Sequence, residues 1–267
     1  MKYIWGSDLH LDHLRGNEFN EFIARVKAEC VDPDTVLLLT GDTSVGTQVS
    51  GHHYALADAA AGRMLYVLGN HDRWGSSFAD VDVKLEVTSV HMPRASFMDK
   101  VDYVELDPGT FAVGDSGWYD GRNGTQGNPR MIMNDWNYIH EYIGREPYKA
   151  SAEFADARAK TLDTKMRAAI AAGAERLVVL THAPPFVESC RYMGNPSDLY
   201  ALPWFSSQVF GDTLDQVANE HWSVQIEVLC GHTHDRYVYK RCDNLMVHVA
   251  GAKYGDPQTI EWKPTLW

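Results

Sequence analysis

Short apolar runs recur along the chain, and each is followed at once by polar residues. The run Thr35–Thr40 (TVLLLT) is apolar at successive positions rather than at alternate ones. Such continuity is typical of strands that are buried on both faces. Runs of this kind predict strands at Lys2–Gly6, Thr35–Thr40, Arg63–Leu68, Leu177–Leu180 and Ile226–Cys230.

Helical spacing of apolar residues separates these runs. An apolar stripe follows Asn17, and the clearest stripe follows Ser151, so we expect both residues to cap helices. Helices are predicted at Asn17–Cys30, His52–Ala61, Ser151–Ala172 and Leu214–Trp222. The alternation of strands with helices indicates an α/β fold that contains a parallel layer.

The rest of the chain combines further strands with two irregular insertions. A hairpin is predicted to pair 101–105 with 110–113, and the C-terminal part predicts strands at 224–230, 236–241, 244–250 and 258–262. The insertions, at about 114–150 and 186–212, lack periodicity. Long loops of this kind carry function or pack against the core, and both readings stay open. Because no linker or repeat is evident, we predict a single domain over 1–267.

Composition narrows the class of protein. The 267 residues carry a net charge of −12, which argues against a strong nucleic-acid-binding surface. No run approaches the roughly 20 apolar residues of a membrane span, and the N-terminal pattern is not that of a signal peptide. A cytoplasmic location is therefore the default expectation. The four cysteines show no CxxC spacing, and a Cys230–Cys242 disulfide is open but disfavoured.

Metal-ligand residue types follow the predicted strands. Since ligand sites lie beyond the carboxyl ends of strands in open α/β sheets, these side chains are expected to share one site. Imidazole nitrogens and carboxylate oxygens suit transition-metal ions, and this many donors suffices for two ions. Asp8 and His10 would project to one side if the strand geometry continues through them. The full set of residues is Asp8, His10, Asp42, Asn70 with His71, His182, and His232 with His234.

Each of these residues also has an ordinary structural explanation when it is taken alone. Asp42 would serve as a helix cap, Asn70 as a turn residue and His182 as a buried strand-end histidine. Their joint occurrence favours the metal site. The other histidines match no motif: His52 and His53 are expected on the surface, and His91, His140, His221 and His248 in structural roles.

Taken in order, the motifs DxH, GD, GNHD, a histidine before Ala-Pro-Pro, and GHTH resemble those of the calcineurin-like metallophosphoesterase superfamily. The resemblance spans residues 8 to 234. It implies two mixed β-sheets packed as a sandwich and flanked by α-helices. It also implies one metal ion held by Asp8, His10 and His234, a second held by Asn70, His182 and His232, and Asp42 shared between them.

The resemblance also implies a reaction. A hydroxide bridging two divalent ions would attack phosphorus, and His71 would act as the acid or contact the phosphate. Asp72 would orient His71. The donor set leaves manganese, iron, zinc and nickel open, with manganese the first choice in vitro.

The substrate is expected to be a small phosphate ester. Protein phosphatases of the superfamily carry Asp-Arg-Gly after GD and Glu in place of Asp72, and this chain departs from both patterns. We therefore expect a phosphodiester, of a nucleotide type for example, with a phosphomonoesterase, a nuclease or a non-catalytic scaffold as alternatives. The oligomeric state stays open. The candidate substrate contacts are Trp118, Tyr119, Arg122, Arg130 and Arg191.

Overall fold

The strands and helices follow one another along the whole chain. The computed structural model describes residues 1–126 and 132–265. The helices are α1 (Glu18–Glu29), α2 (Val49–Ala59), α3 (Phe78–Ser89), α4 (Asp135–Tyr138), α5 (Pro147–Ala171), α6 (Leu202–Phe205) and α7 (Gln208–Glu220). The strands are β1 (Lys2–Gly6), β2 (Thr35–Thr40), β3 (Arg63–Val67), β4 (Ala95–Phe97), β5 (Val104–Asp107), β6 (Thr110–Gly114), β7 (Arg176–Leu180), β8 (Arg191–Tyr192), β9 (Asn195–Pro196), β10 (Gln225–Cys230), β11 (Tyr237–Cys242), β12 (Leu245–Val249) and β13 (Thr259–Trp262).

Two mixed sheets contain most of these strands. The first has the order β13-β1-β2-β3-β4, in which β1 to β4 run parallel and β13 is antiparallel to β1. The second has the order β11-β12-β10-β7-β6-β5, with a parallel centre and antiparallel outer strands. The predicted fold of two mixed sheets is therefore confirmed.

The sheets pack face to face, and helices cover their outer faces. In β1, Trp5 lies in the core between the sheets, whereas Ile4 faces the helices α1 to α3. On the second sheet, Val179 faces α5 and α7, and Val178 faces the first sheet. Because successive side chains of a strand point to opposite faces, burial on both faces explains the continuous apolar runs.

The structure corrects several element boundaries. Helix α5 begins at Pro147, because the Glu146 side chain accepts hydrogen bonds from the first amides, whereas Ser151 is buried and bonds Tyr142. Asn17 makes no side-chain capping bond. Helix α7 begins at Gln208 and not at Leu214.

Some features escaped the sequence pattern. Helix α3 was missed because valines lie on both its buried and its exposed face, which hides the amphipathic stripe. His53 is fully buried and bonds Val49, so its predicted surface position is wrong. All four cysteines are free thiols, and β12 separates the strands that carry Cys230 and Cys242.

The two insertions pack against each other around a shared aromatic cluster. Trp118, Tyr142 and Trp204 are buried there together. The aromatic residues of the first insertion are therefore largely core residues. Within the described ranges, no helix combines the length and the apolar character that a membrane crossing requires. The single-domain assignment stays a prediction.

Candidate metal centre

The ends of the central strands converge at one edge of the sandwich. Ligand atoms of Asp8, His10 and His234 all lie within 4.8 Å of one another. The same holds for Asp42, His182 and His232, and for an overlapping group of His10, Asp42 and His71. Asn70 joins the second group, since its Oδ1 lies 3.1 Å from His182 Nε2. The structure thus brings together the seven ligands predicted from the sequence, with His71 beside them.

An unusual backbone presents several of these side chains. Asp8, His10, Asp42, His232 and His234 have left-handed conformations, with φ of 51°, 43°, 49°, 70° and 61°. Residues other than glycine adopt this backbone region at an energetic cost, and such strain concentrates at functional sites. The strand geometry does not continue through Asp8 and His10, because β1 ends at Gly6 and the loop turns sharply, so the condition for their projection to one side is not met.

Glycines in the motifs allow the ligand loops to touch. A Cβ atom at Gly231 would lie 2.0 Å from Asp8 Oδ2 and from Ser7 Oγ. A Cβ atom at Gly69 would lie 2.0 Å from Asp42 Oδ1. Both distances are far below van der Waals contact. The glycines of GHTH and GNHD are thus required because a carboxylate of another loop packs on each one.

Replacing Gly231 by alanine is expected to destabilise the protein by about 1–3 kcal/mol, the usual cost of overpacking. The same change at Gly51 in α2 is the matched control, because nothing lies within 4 Å of its added Cβ. Alanine there is expected to be neutral or stabilising by up to about 1 kcal/mol. Thermal unfolding of the two variants checks this, and equal midpoints would contradict the packing at Gly231.

Hydrogen bonds hold Asp8 in the first group. Its carboxylate accepts from Ser7 Oγ at 2.6 Å and from the His232 amide at 3.0 Å. His234 Nε2 lies 3.3 Å from Asp8 Oδ1 and 3.1 Å from His10 Nε2. Burial lowers the pKa of His10 to about 3. A neutral imidazole therefore faces a second imidazole and a carboxylate, which is a suitable set of metal donors.

The tautomers of the second group follow from its outer hydrogen bonds. His182 Nδ1 bonds the Thr40 carbonyl at 2.8 Å, which leaves Nε2 facing the group. His232 Nε2 donates to the Trp204 carbonyl at 2.8 Å, which leaves the lone pair of Nδ1 for a metal ion. Metal-binding histidines are commonly held in this way through the second ring nitrogen.

Asp42 lies between the two groups. Its Oδ1 accepts from the His71 amide at 2.8 Å, whereas Oδ2 is 3.4 Å from His182 Nε2 and 4.0 Å from His10 Nε2. Burial alone would raise the pKa of Asp42, but the surrounding histidines hold it well below its usual range. Conversely, burial would lower the pKa of His182, and Asp42 raises it to about 10. Negative charge is thus concentrated where both groups meet.

Comparison with known proteins identifies the family. The sequence model described as calcineurin-like phosphoesterase matches residues 1–236. The chain belongs to this family. It is therefore a hydrolase that acts on phosphate esters, and members of the family use divalent metal ions. A search of curated proteins found no match.

Solved structures give the same fold at low sequence identity. A phosphopantetheinyl hydrolase from Mycobacterium tuberculosis aligns with a TM-score of 0.68 and 17% identity, covering 95% of this chain and 90% of that one. A dimetal phosphatase from Danio rerio aligns with a TM-score of 0.56 and 14% identity, covering 94% and 87%. At these identities the likeness concerns the fold alone.

The predicted role of Asp72 in this phosphoesterase is wrong. Its carboxylate accepts hydrogen bonds from the amides of Ser44 at 2.8 Å and Gly69 at 2.9 Å, whereas the Nδ1 of the His71 ring has no hydrogen-bond partner among the described residues. Burial and the nearby Asp42 raise the pKa of Asp72 to about 7. Asp72 therefore braces the two ligand loops. The His71 ring stacks on Trp74 instead, with their centroids 3.5 Å apart.

Four of the five predicted substrate contacts are not among the residues that line the cleft over the ligands. Trp118 and Tyr119 are buried and bond Tyr142 and Asp135, respectively. Arg122 pairs with acidic side chains, and Arg191 bonds a backbone carbonyl and lies over the Tyr237 ring. Each of these four side chains thus has a partner within the protein. Arg130 lies outside the described residues.

The cleft over the ligands has a volume of about 310 Å³ and an aromatic wall. Tyr254 stands closest to the ligands, with its ring centroid 4.3 Å from that of His10. The wall was not predicted from the sequence, because its members come from separate loops and form no motif. It consists of Trp74, Tyr192, Phe205 and Tyr254.

Proposed function

We propose that the protein is a phosphodiesterase that binds two divalent metal ions. The observation that carries the proposal is the convergence of ligand atoms in two buried groups, Asp8 with His10 and His234, and Asp42 with His182 and His232, each within 4.8 Å. Asn70 Oδ1 joins the second group at 3.1 Å from His182 Nε2, because Asn70 donates its Nδ2 to Asp135. Imidazole nitrogens and carboxylate oxygens that meet in this way are the donors of a transition-metal site, and a bound ion would replace the protons on the histidines.

The two groups divide the ligands in the way the sequence motifs imply. Asp8, His10 and His234 would hold one ion, and Asn70, His182 and His232 the other. Asp42 would contact both ions. Its Oδ2 lies 3.4 Å from His182 Nε2 in one group and 4.0 Å from His10 Nε2 in the other, which supports this shared role. Manganese, iron, zinc and nickel all suit these donors, with manganese the first choice for assays.

Bound divalent ions would supply charge for the phosphoryl oxygens and a water molecule of lowered pKa. The protein's own contribution to bond cleavage is His71. It lines the cleft, its backbone amide is tied to Asp42, and its ring is fixed on Trp74. We assign to His71 the donation of a proton to the leaving oxygen of the ester.

The lining of the cleft favours a diester over a monoester. Among its described residues there is no lysine or arginine. A monoester carries up to two negative charges on its phosphate, and such sites commonly provide cationic side chains. A diester carries one charge and a second organic substituent, which the aromatic wall suits. We infer a small phosphodiester, with nucleotide-type esters among the candidates.

A phosphomonoesterase is the second candidate. Ile132 and Met133 line the cleft, and Arg130 precedes them closely in the chain. A guanidinium contributed by that segment would favour a terminal phosphate. Comparison of diester with monoester turnover separates the two candidates.

We expect metal-stripped protein with added manganese to hydrolyse bis(p-nitrophenyl) phosphate faster than p-nitrophenyl phosphate. The expected ratio of kcat/KM is at least about tenfold, a difference of about 1.4 kcal/mol in transition-state stabilisation. Chelator should abolish both activities. Arg130→Ala should leave the ratio of diester to monoester kcat/KM unchanged. Arg191→Ala is the control, because this arginine bonds a backbone carbonyl and lies over the Tyr237 ring. Faster monoester turnover that Arg130→Ala removes would contradict the diesterase proposal in favour of the monoesterase.

A further inference from the structure

A buried carboxylate in the first insertion accepts hydrogen bonds from three side chains around the metal centre. Asp135, at the start of α4, is fully buried. It accepts from Asn70 Nδ2 at 3.0 and 3.2 Å, from Trp74 Nε1 at 2.5 Å and from the Tyr119 hydroxyl at 2.6 Å. Nothing in the sequence motifs singles out this residue.

The bond to Asn70 determines which end of its amide faces the site. Both Asp135 oxygens accept from Asn70 Nδ2, so the NH₂ group of Asn70 points to Asp135. The amide oxygen must then point to His182, as its 3.1 Å distance to Nε2 shows. Turned by 180°, the amide would present an NH₂ group, which is not a metal ligand.

The other two donors connect Asp135 to the rest of the centre. The Trp74 ring, held through its Nε1, supports the stacked His71 ring at 3.5 Å. The Tyr119 ring, held through its hydroxyl, lies 6.0 Å from the His232 ring at an interplanar angle of 23°. The Asp135 carboxylate thus bonds the amide of the proposed ligand Asn70 directly. It also bonds the two rings that lie against the proposed acid His71 and the proposed ligand His232.

We propose that Asp135 is a positioning residue that fixes the amide oxygen of Asn70 toward the second metal ion and holds Trp74 beneath His71. This inference rests on the proposed two-metal function. It assigns a role in that function to the irregular insertion, which no motif covers. A purely structural carboxylate would also contribute to stability, but it would not control the affinity of one metal ion.

Asp135→Asn tests the proposal, because the new amide has nearly the same shape and adds a donor toward Asn70. Asn70 is expected to turn around and offer its oxygen to residue 135, leaving an NH₂ group toward the metal. The affinity for the second manganese ion should fall about 10- to 100-fold, the usual effect of losing an outer partner of a ligand. The affinity for the first ion should stay within about twofold.

Asp120→Asn is the matched control, because Asp120 is also a buried carboxylate of the first insertion but accepts from the Val209 amide and pairs with Arg122, away from the ligands. Its second-ion affinity should match that of the unmodified protein. The double variant Asn70→Asp with Asp135→Asn exchanges the two groups. The amide of residue 135 would then donate to one carboxylate oxygen of residue 70, and the other oxygen would face the site. Second-ion affinity should recover by at least about tenfold relative to Asp135→Asn, whatever the unfolding temperatures of the variants.

Equilibrium dialysis against manganese, with metal content determined by mass spectrometry, gives these affinities without an activity assay. An unchanged second-ion affinity in Asp135→Asn, or no recovery in the exchanged pair, would overturn the role of Asp135. If the unmodified protein binds fewer than two ions, the two-metal function itself fails and this inference fails with it. The two failures are distinguished by the unmodified protein alone.

Discussion

Asp42→Ala is expected to lose tight binding of both metal ions and to reduce kcat/KM by more than about 100-fold. Loss of a residue that only hydrogen-bonds a metal ligand costs up to about 100-fold, and loss of a shared ligand should cost more. The reason is the position of the carboxylate between the two groups, with Oδ2 at 3.4 Å from His182 and 4.0 Å from His10. Removal also takes away the carboxylate that lies beside His182. Metal content after dialysis and the rate of diester hydrolysis measure the two effects.

Asp120→Asn provides the control for this variant. Asp120 is also a buried carboxylate, but it accepts from the Val209 amide and pairs with Arg122 away from the ligands. We expect Asp120→Asn to alter stability while metal content remains at two ions per chain. An Asp42→Ala protein that retains both ions and full turnover would exclude Asp42 as the shared ligand.

His71→Ala is expected to lower kcat by about 10²- to 10⁴-fold, the usual contribution of a general acid. The loss should depend on the leaving group. A p-nitrophenolate leaves without help from a proton, whereas an alkoxide requires one, so the loss should be small for the activated ester and large for an alkyl ester. Parallel measurement of a p-nitrophenyl diester and an alkyl diester gives this comparison directly.

Metal content separates this role from ligation. His71 Nε2 lies 3.9 Å from Asp42 Oδ2, close enough that His71 also belongs to a possible metal group. If His71 acts as the acid, His71→Ala keeps both ions and reduces kcat only. Loss of an ion, or an equal loss of rate for both esters, would reassign His71 as a ligand.

The fold and the convergence of the seven proposed ligands were predictable because both depend on short-range sequence signals. Strands such as Thr35–Thr40 are apolar throughout, since helices cover one face and the second sheet the other. The polar residues that follow them lie at one edge because parallel strands end together. The conformation of Asp8 and His10 was not predictable, since it depends on distant parts of the chain: Asp8 packs on Gly231, and the amides of Asp8 and His10 donate to the carbonyls of Gly41 and Asp42.

Other parts of the site depend on contacts between distant segments. Trp118 was a candidate substrate contact, with core packing as the open alternative, and it is a core residue because the two insertions bury each other's aromatic rings. Asp72 was expected beside His71, but backbone amides of two loops take its carboxylate. Asp135 carries no motif, and its importance follows only from the three donors that surround it.

The number of metal ions required for turnover tests the central claim most directly. Metal-stripped protein would be titrated with manganese while bound metal and hydrolysis of bis(p-nitrophenyl) phosphate are followed together. The account predicts two ions per chain, with turnover rising as the second ion binds. Full turnover with one ion, or without any metal, would contradict it.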